Sequence, residues 1–180
     1  MQEEFIIRLA QDKDAEWICK IELEAAKRFK GLGLIDHLLE QSFCQEKLKE
    51  LIKQEQVWVV SSQTQTLSVG FIIISILGQE AYLEEVSVLP QYGSHGLGTK
   101  LIDTVCQWSK SKGLNSILLS TFLSVRWNAP FYEKLGFKIL CSEEWSQEMH
   151  KIRTAEKLHG YPVDERVFMR LNLANTQLQC

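Results

Sequence analysis

The chain has 180 residues, 45% apolar and 24% charged, with a net charge of −3. That size implies one domain able to bury roughly 70% of its unfolded surface without disulfide or metal staples, and the composition excludes wholesale disorder. A slightly acidic balance offers no basic field to nucleic acid or anionic lipid, and no apolar run reaches the roughly 18 residues of a membrane helix.

Phe5-Ile6-Ile7-Arg8-Leu9 reads as a first strand. Asp12 or Asp14 can cap a helix to about residue 30, with Trp17, Ile18, Ile21 and Ala25 at helical spacing and Gly31 and Gly33 ending it. A second amphipathic helix over 42–53 carries Phe43, Leu48, Leu51 and Ile52. Strands follow over 56–60, 67–77 and 81–88, the last halted by Pro90. Leu97, Leu101, Ile102, Val105 and Trp108 form one apolar stripe on a helix over 96–112, stopped by Gly113. Then come a strand over 116–121, a short helix over 129–135 with Pro130 at its start, a strand over 137–141, a charged helix over 143–159 and a closing strand over 166–171. This order predicts an α/β domain over 1–173 with helices on both faces of a mixed sheet, and a polar tail over 174–180.

Five scattered cysteines (Cys19, Cys44, Cys106, Cys141, Cys180) without a Cys-x-x-Cys pair suit a reducing compartment. The start Met-Gln-Glu-Glu lacks the pattern of a secretory signal, so a soluble cytoplasmic protein is expected. His37, His150 and His159 show no metal spacing, so no metal is expected. No Gly-x-Ser-x-Gly elbow surrounds Ser87 or Ser120.

The most informative segment runs from Val86 through Pro90 into Gly93-Ser94-His95-Gly96-Leu97-Gly98-Thr99. A strand enters a glycine turn and a helix begins. Glycine lets backbone amides approach a ligand, and a helix start leaves N–H groups free with a partial positive charge. The combination suits a pyrophosphate, although neither the dinucleotide Gly-x-Gly-x-x-Gly order nor a P-loop is present. A turn whose glycines merely relieve strain remains the plain alternative.

A second segment, Trp127-Asn128-Ala129-Pro130-Phe131-Tyr132-Glu133-Lys134-Leu135-Gly136-Phe137, follows the strand ending at Thr121. With both segments together, the chain resembles the GNAT N-acetyltransferases from about residue 5 to 171. That family has a strand, Pro, an Arg/Gln-x-x-Gly-x-Gly/Ala turn and a helix, then a short helix ending in Phe/Leu-Tyr-x-Lys-x-Gly-Phe. Two departures stand out: Gly93 replaces the Arg/Gln, and the position of the family's usual Asn, seven before the tyrosine, is Val125.

The resemblance implies a mostly antiparallel sheet of about seven strands, acetyl-CoA as donor and a primary amine as acceptor. The donor would lie along Val86, Ser87 and Val88, with its pyrophosphate on the amides of Gly93, Ser94, His95, Gly96, Leu97, Gly98 and Thr99. Asn128, Phe131 and Lys134 are further candidates on the donor side. Tyr132 is the candidate acid for the departing thiolate. An alkyl amine of pKa near 10.4 is neutral in only about one molecule in 2,500 at pH 7, so a base is needed. Glu84 and Glu85 are the candidates. On a regularly alternating strand they would face opposite sides, and the family pattern Leu-Glu-Asp/Glu favours Glu84. Glu22, Glu24, Asp36, Trp127 and Trp145 are candidates for the acceptor groove. Relatives often pair through the C-terminal strand, so a homodimer is among the states the resemblance allows. A CoA-binding module without useful catalysis is the rival, and another nucleotide-binding α/β domain a third reading.

Overall fold

The period-two strands and the 3.6-period stripes assemble as one layered unit in the computed structural model, which describes residues 4–42, 44–62, 67–93 and 95–175. Strands β1 (Phe5–Leu9), β2 (Val57–Ser62), β3 (Ser68–Leu77), β4 (Glu80–Val88), β5 (Ser116–Phe122), β6 (Lys138–Ile139) and β7 (Arg166–Asn172) form one sheet in the order β1-β2-β3-β4-β5-β7-β6. Among the described residues, only β4 and β5 pair in parallel; the other neighbours are antiparallel.

Helices α1 (Ala15–Ala26), α2 (Gln45–Lys53) and α5 (Gln147–Leu158) cover one face, and α3 (Leu97–Ser111) and α4 (Ala129–Lys134) the other. Alternation along the strands sorts the core. Val57, Val59, Phe71 and Ile73 meet α1 and α2, while Trp58, Val60, Ile72 and Ile74 join Leu101, Ile102 and Val105 of α3. Farther along the sheet, Leu118 and Phe168 pack on Met149 of α5.

Several boundaries differ from the expected ones. The helix over 12–30 is α1 flanked by 3-10 turns at Asp12–Asp14 and Lys27–Phe29. Asp14 does not cap α1 with its side chain. Its carboxylate takes a two-point bond from Arg8 (2.7 and 2.9 Å) and the Gln11 N–H at 2.8 Å, and these charge-assisted bonds are the stronger use of the group. The second helix begins at Gln45, and Phe43 lies outside the described residues. The strand over 137–141 contracts to Lys138–Ile139, and Phe137 packs in the α3-side core. Ser146, whose Oγ accepts the Met149 N–H at 3.3 Å, starts α5 later than expected.

Two irregularities shape the site. Ile73 pairs with Glu85 and Ile74 with Leu83, which leaves Glu84 as the extra residue of a β-bulge. Strict alternation therefore fails. Leu83 and Val86, three residues apart, pack into the same cluster. The second irregularity is a divergence. β4 and β5 pair only through Leu83 and Leu119, yet β4 continues to Val88 and β5 follows β7 to Phe122. Among the described residues, β5 does not pair with β4 over 84–88, so that edge of β4 keeps unpaired backbone groups.

Candidate active site

The divergence opens a cleft of about 710 Å³. At one end β4 leaves through Leu89 and a 3-10 turn at Pro90–Tyr92, then reaches α3. Gly96 sits just before α3 with φ of 69°, a left-handed conformation that a Cβ disfavours. The first helical bond of α3 runs from the Lys100 N–H to the Gly96 carbonyl at 3.1 Å. The amides of Leu97, Gly98 and Thr99 thus have no intrahelical acceptor, and Gly98 and Thr99 line the cleft. A Cβ on Gly98 would meet only the Phe131 ring, at 3.6 Å.

Glu84, Glu85, Val86, Ser87, Val88, Asn128, Phe131 and Tyr132 line the cleft, as do Gly93 and Gly96. Leu97 does not line it: its side chain is core, leaving only its backbone as a candidate group. His95 folds away, its ring edge-on to Phe5 and its Nδ1 3.2 Å from the Tyr92 carbonyl. Ser94 lies outside the described residues. Lys134 borders a neighbouring hollow with Arg126, Trp127 and Pro130.

The two acids differ in setting. Glu84, on the bulge, lies 3.7 Å from Lys47 of α2. Glu85 accepts a 2.7 Å bond from the Ser87 hydroxyl. Burial, with the charge of Glu22 adding to it, outweighs that bond and Arg166 and pushes the Glu85 carboxyl up to about 7. Tyr132, 7% exposed, is raised above the ordinary phenol value first by burial and then by the charge of Glu85. Its hydroxyl bonds to no described residue. Three polar atoms of cleft residues are buried without a hydrogen-bond partner among the described residues: Ser120 Oγ, Asn128 Oδ1 and Trp127 Nε1. Asn128 spends its Nδ2 on Thr121 Oγ1 at 2.7 Å.

The far end is built from segments distant in sequence. Arg28, Phe29, Ile35 and Leu38 come from the connection after α1, Phe122 from the end of β5, Trp127 from the connection to α4, and Tyr161 and Arg166 from the entry to β7. His37 Nε2 lies 3.1 Å from the Gly160 carbonyl and ties two of these segments together. In the Gly-Leu-Gly turn, Asp36 accepts the Gly31 and Gly33 amides at 2.7 and 3.0 Å. Of the groove candidates, Glu22 and Trp127 line the cleft. Glu24 instead pairs with Lys27, Asp36 holds its turn, and Trp145 packs on Phe168. Arg28, Tyr161 and Arg166 carry no sequence signal of their own.

The model of the acetyltransferase (GNAT) family matches residues 35–137, more than half of the chain and the whole glycine turn. The chain belongs to the acetyltransferase (GNAT) family. It is 44% identical over 57 residues to glucosamine 6-phosphate N-acetyltransferase of Trypanosoma brucei brucei, covering 32% of this chain and 37% of that protein. It is 35% identical over 79 residues to thialysine N-epsilon-acetyltransferase of Mus musculus, covering 42% of this chain and 45% of that protein. The chain thus spans less than half the length of either relative. Its fold is similar to that of the PaiA N-acetyltransferase of Thermoplasma acidophilum in complex with coenzyme A, with a TM-score of 0.72, 19% identity and coverage of 94% and 99% of the two chains. The mostly antiparallel seven-stranded sheet matches the fold of this structural neighbour.

Proposed function

We propose that the chain moves the acetyl group of acetyl-CoA to a primary amine by direct attack within a ternary complex. One observation carries the reading: the unpaired edge of β4 runs from the glycine turn to Glu85 and Tyr132 within one cleft. The residues present fit the donor. A pantetheine arm carries two amides, and the free edge of β4 together with Asn128 Oδ1 and Ser120 Oγ offers hydrogen-bonding groups for them. The amides at the start of α3 would take the pyrophosphate, with Gly93 adding no side chain. Acetyl-CoA supplies an activated acyl carbon. A backbone N–H near Val86 would stabilise charge on its carbonyl oxygen, a donor worth about 3 kcal/mol in acyl transfer.

Glu85 is the stronger candidate for the base. Taking a proton from an ammonium of pKa 10.4 costs a carboxylate of ordinary pKa about 8 kcal/mol. With the carboxyl at about 7 the cost falls to about 4.6 kcal/mol. Glu84 is better suited to holding α2 against the bulge through Lys47. Once the nitrogen has formed its bond to the acyl carbon, the carbon–sulfur bond breaks and the sulfur keeps the electron pair. Tyr132 would meet that charge as a neutral hydrogen-bond donor. A phenol above pKa 10 is a weaker acid than a thiol near 8.5, so full transfer of its proton runs uphill by about 2 kcal/mol or more, and a hydrogen bond to sulfur is the better role.

Cys19, Cys44, Cys106 and Cys141 are free thiols, in keeping with the reducing cytoplasm as its compartment. No described helix is long and apolar enough to cross a membrane. The test is thiol release from acetyl-CoA across an amine panel, with mass detection of the acetylated product. Tight CoA binding without thiol release would replace the enzyme by a binding module, and indifference to millimolar CoA would end both readings.

A further inference from the structure

Four arginines of this fold are neutralised at short range. Arg8 holds Asp14, Arg153 and Arg166 share Glu156, and Arg170 holds Glu80. Arg28 lines the cleft and meets no carboxylate among the described residues. It sits in the 3-10 turn that ends α1. Its guanidinium carbon lies 4.4 Å from the centroid of the Trp127 ring, which is itself braced edge-on by Phe29 at 5.6 Å. Contact with an aromatic face restrains the guanidinium while its N–H edges stay available for a two-point bond to an oxyanion. Desolvation lowers the pKa of Arg28, as expected for a cation with no anion beside it, although an arginine stays charged at any working pH.

The remaining charges of the cleft lie elsewhere. Glu22 and Glu85 line the cleft together, Glu22 near enough to disfavour ionisation of Glu85, so this side presents acidic oxygens that can accept hydrogen bonds from an incoming ammonium. From residue 22 to residue 28 the chain advances roughly 9 Å at helical rise, which sets the cationic end apart from that side. Phe29, Ile35, Leu38 and Phe122 form an apolar cluster at this end of the cleft.

We infer that the acceptor is an amphoteric small molecule, whose amine enters beside Glu22 and Glu85, whose oxyanion rests on Arg28 and whose apolar body meets the Phe29–Phe122 wall. The inference rests on the acetyl-transfer reading of this cleft. A carboxylate and a phosphate share the required chemistry, and matched acceptors tell them apart.

The experiment measures kcat/KM for 6-aminohexanoate against 6-aminohexanamide and for 6-aminohexyl phosphate against 6-aminohexanol, whose alkyl chains can span the two ends of the cleft and leave the amine pKa matched within each pair. At least one anionic member should exceed its neutral partner by about tenfold or more, a factor within reach of one charge-assisted pair, and the pair that does so identifies the oxyanion. Arg28→Gln should shrink that ratio about tenfold, mainly through KM. Arg28→Lys should recover only part of it, because the charge returns without the fork. Ratios near one in the wild type, ratios untouched by Arg28→Gln, or a loss of acetyl-CoA affinity in that variant would each overturn the inference. If no amine releases thiol, calorimetry with the CoA-loaded protein separates the two claims. Arg28-dependent binding of 6-aminohexanoate or 6-aminohexyl phosphate sustains this inference while the transfer reading fails, and absence of such binding overturns it.

Discussion

Glu85 has a carboxyl whose pKa in the fold, about 7, lies well above the roughly 4.3 of an unfolded chain. The folded state therefore holds a proton that the unfolded state releases. Its contribution is fully present below about pH 4.3 and is lost as pH rises through 7. Glu85→Gln should accordingly gain stability relative to the wild type by about 3 kcal/mol between pH 4 and pH 8, read from denaturant midpoints at the two pH values. The same substitution should lower kcat/KM by about 100-fold or more. The wild-type profile should fall below about pH 7 as the base becomes protonated, and the variant should lose that inflection. Tyr132→Phe removes a hydroxyl that bonds to no described residue, so the fold should hold. Its kcat should drop about 10- to 100-fold with acetyl-CoA affinity nearly unchanged, which steady-state kinetics beside CoA titration would reveal.

At the scale of elements, the divergence of β4 from β5 needs β4 held firmly on its other side. Gly70 of β3 provides the close approach. A Cβ there would lie 2.9 Å from the Ser87 carbonyl oxygen and 3.0 Å from side-chain carbons of Val60 and Val88. Gly70→Ala should cost about 1–3 kcal/mol by overpacking, measured by thermal or chemical unfolding, and should raise KM for acetyl-CoA by shifting the edge that would receive it. Gly96→Ala meets open space but keeps the left-handed φ of 69°, so a strain of about 1–2 kcal/mol and weaker CoA binding are expected, with little change in Glu85-dependent pH behaviour. A helix stripe and a glycine turn are local patterns, and the sequence displays both at 96–112. The bulge at Glu84 is not a local pattern. It exists only in the register between β3 and β4, which is why alternation by itself misjudged how the two acids are presented.

Across the whole molecule, Glu156 of α5 joins the far side of the sheet to the cleft. It is 9% exposed, accepts the Arg166 Nε at 3.0 Å, and lies 3.1 Å from Arg153 Nη1, close in charge though out of hydrogen-bond alignment. Arg166 in turn donates to the Ser120 carbonyl at 3.0 Å and stacks beside Phe122 and Tyr161. Glu156→Gln would leave two partly buried guanidiniums without their counter-charge, so a loss of about 3–5 kcal/mol is expected in unfolding experiments. The alternation and stripes of the sheet and helices, the glycine turn, and the acid pair and tyrosine are legible along the chain, because period, turn chemistry and motif spacing act over neighbouring residues. Folding fixes which acid is desolvated, sets Arg28 over Trp127, and brings Arg166 to the cleft already neutralised. Those outcomes depend on burial and on charges contributed by segments that are far apart along the chain and meet only when the sheet closes beneath α1 and α5.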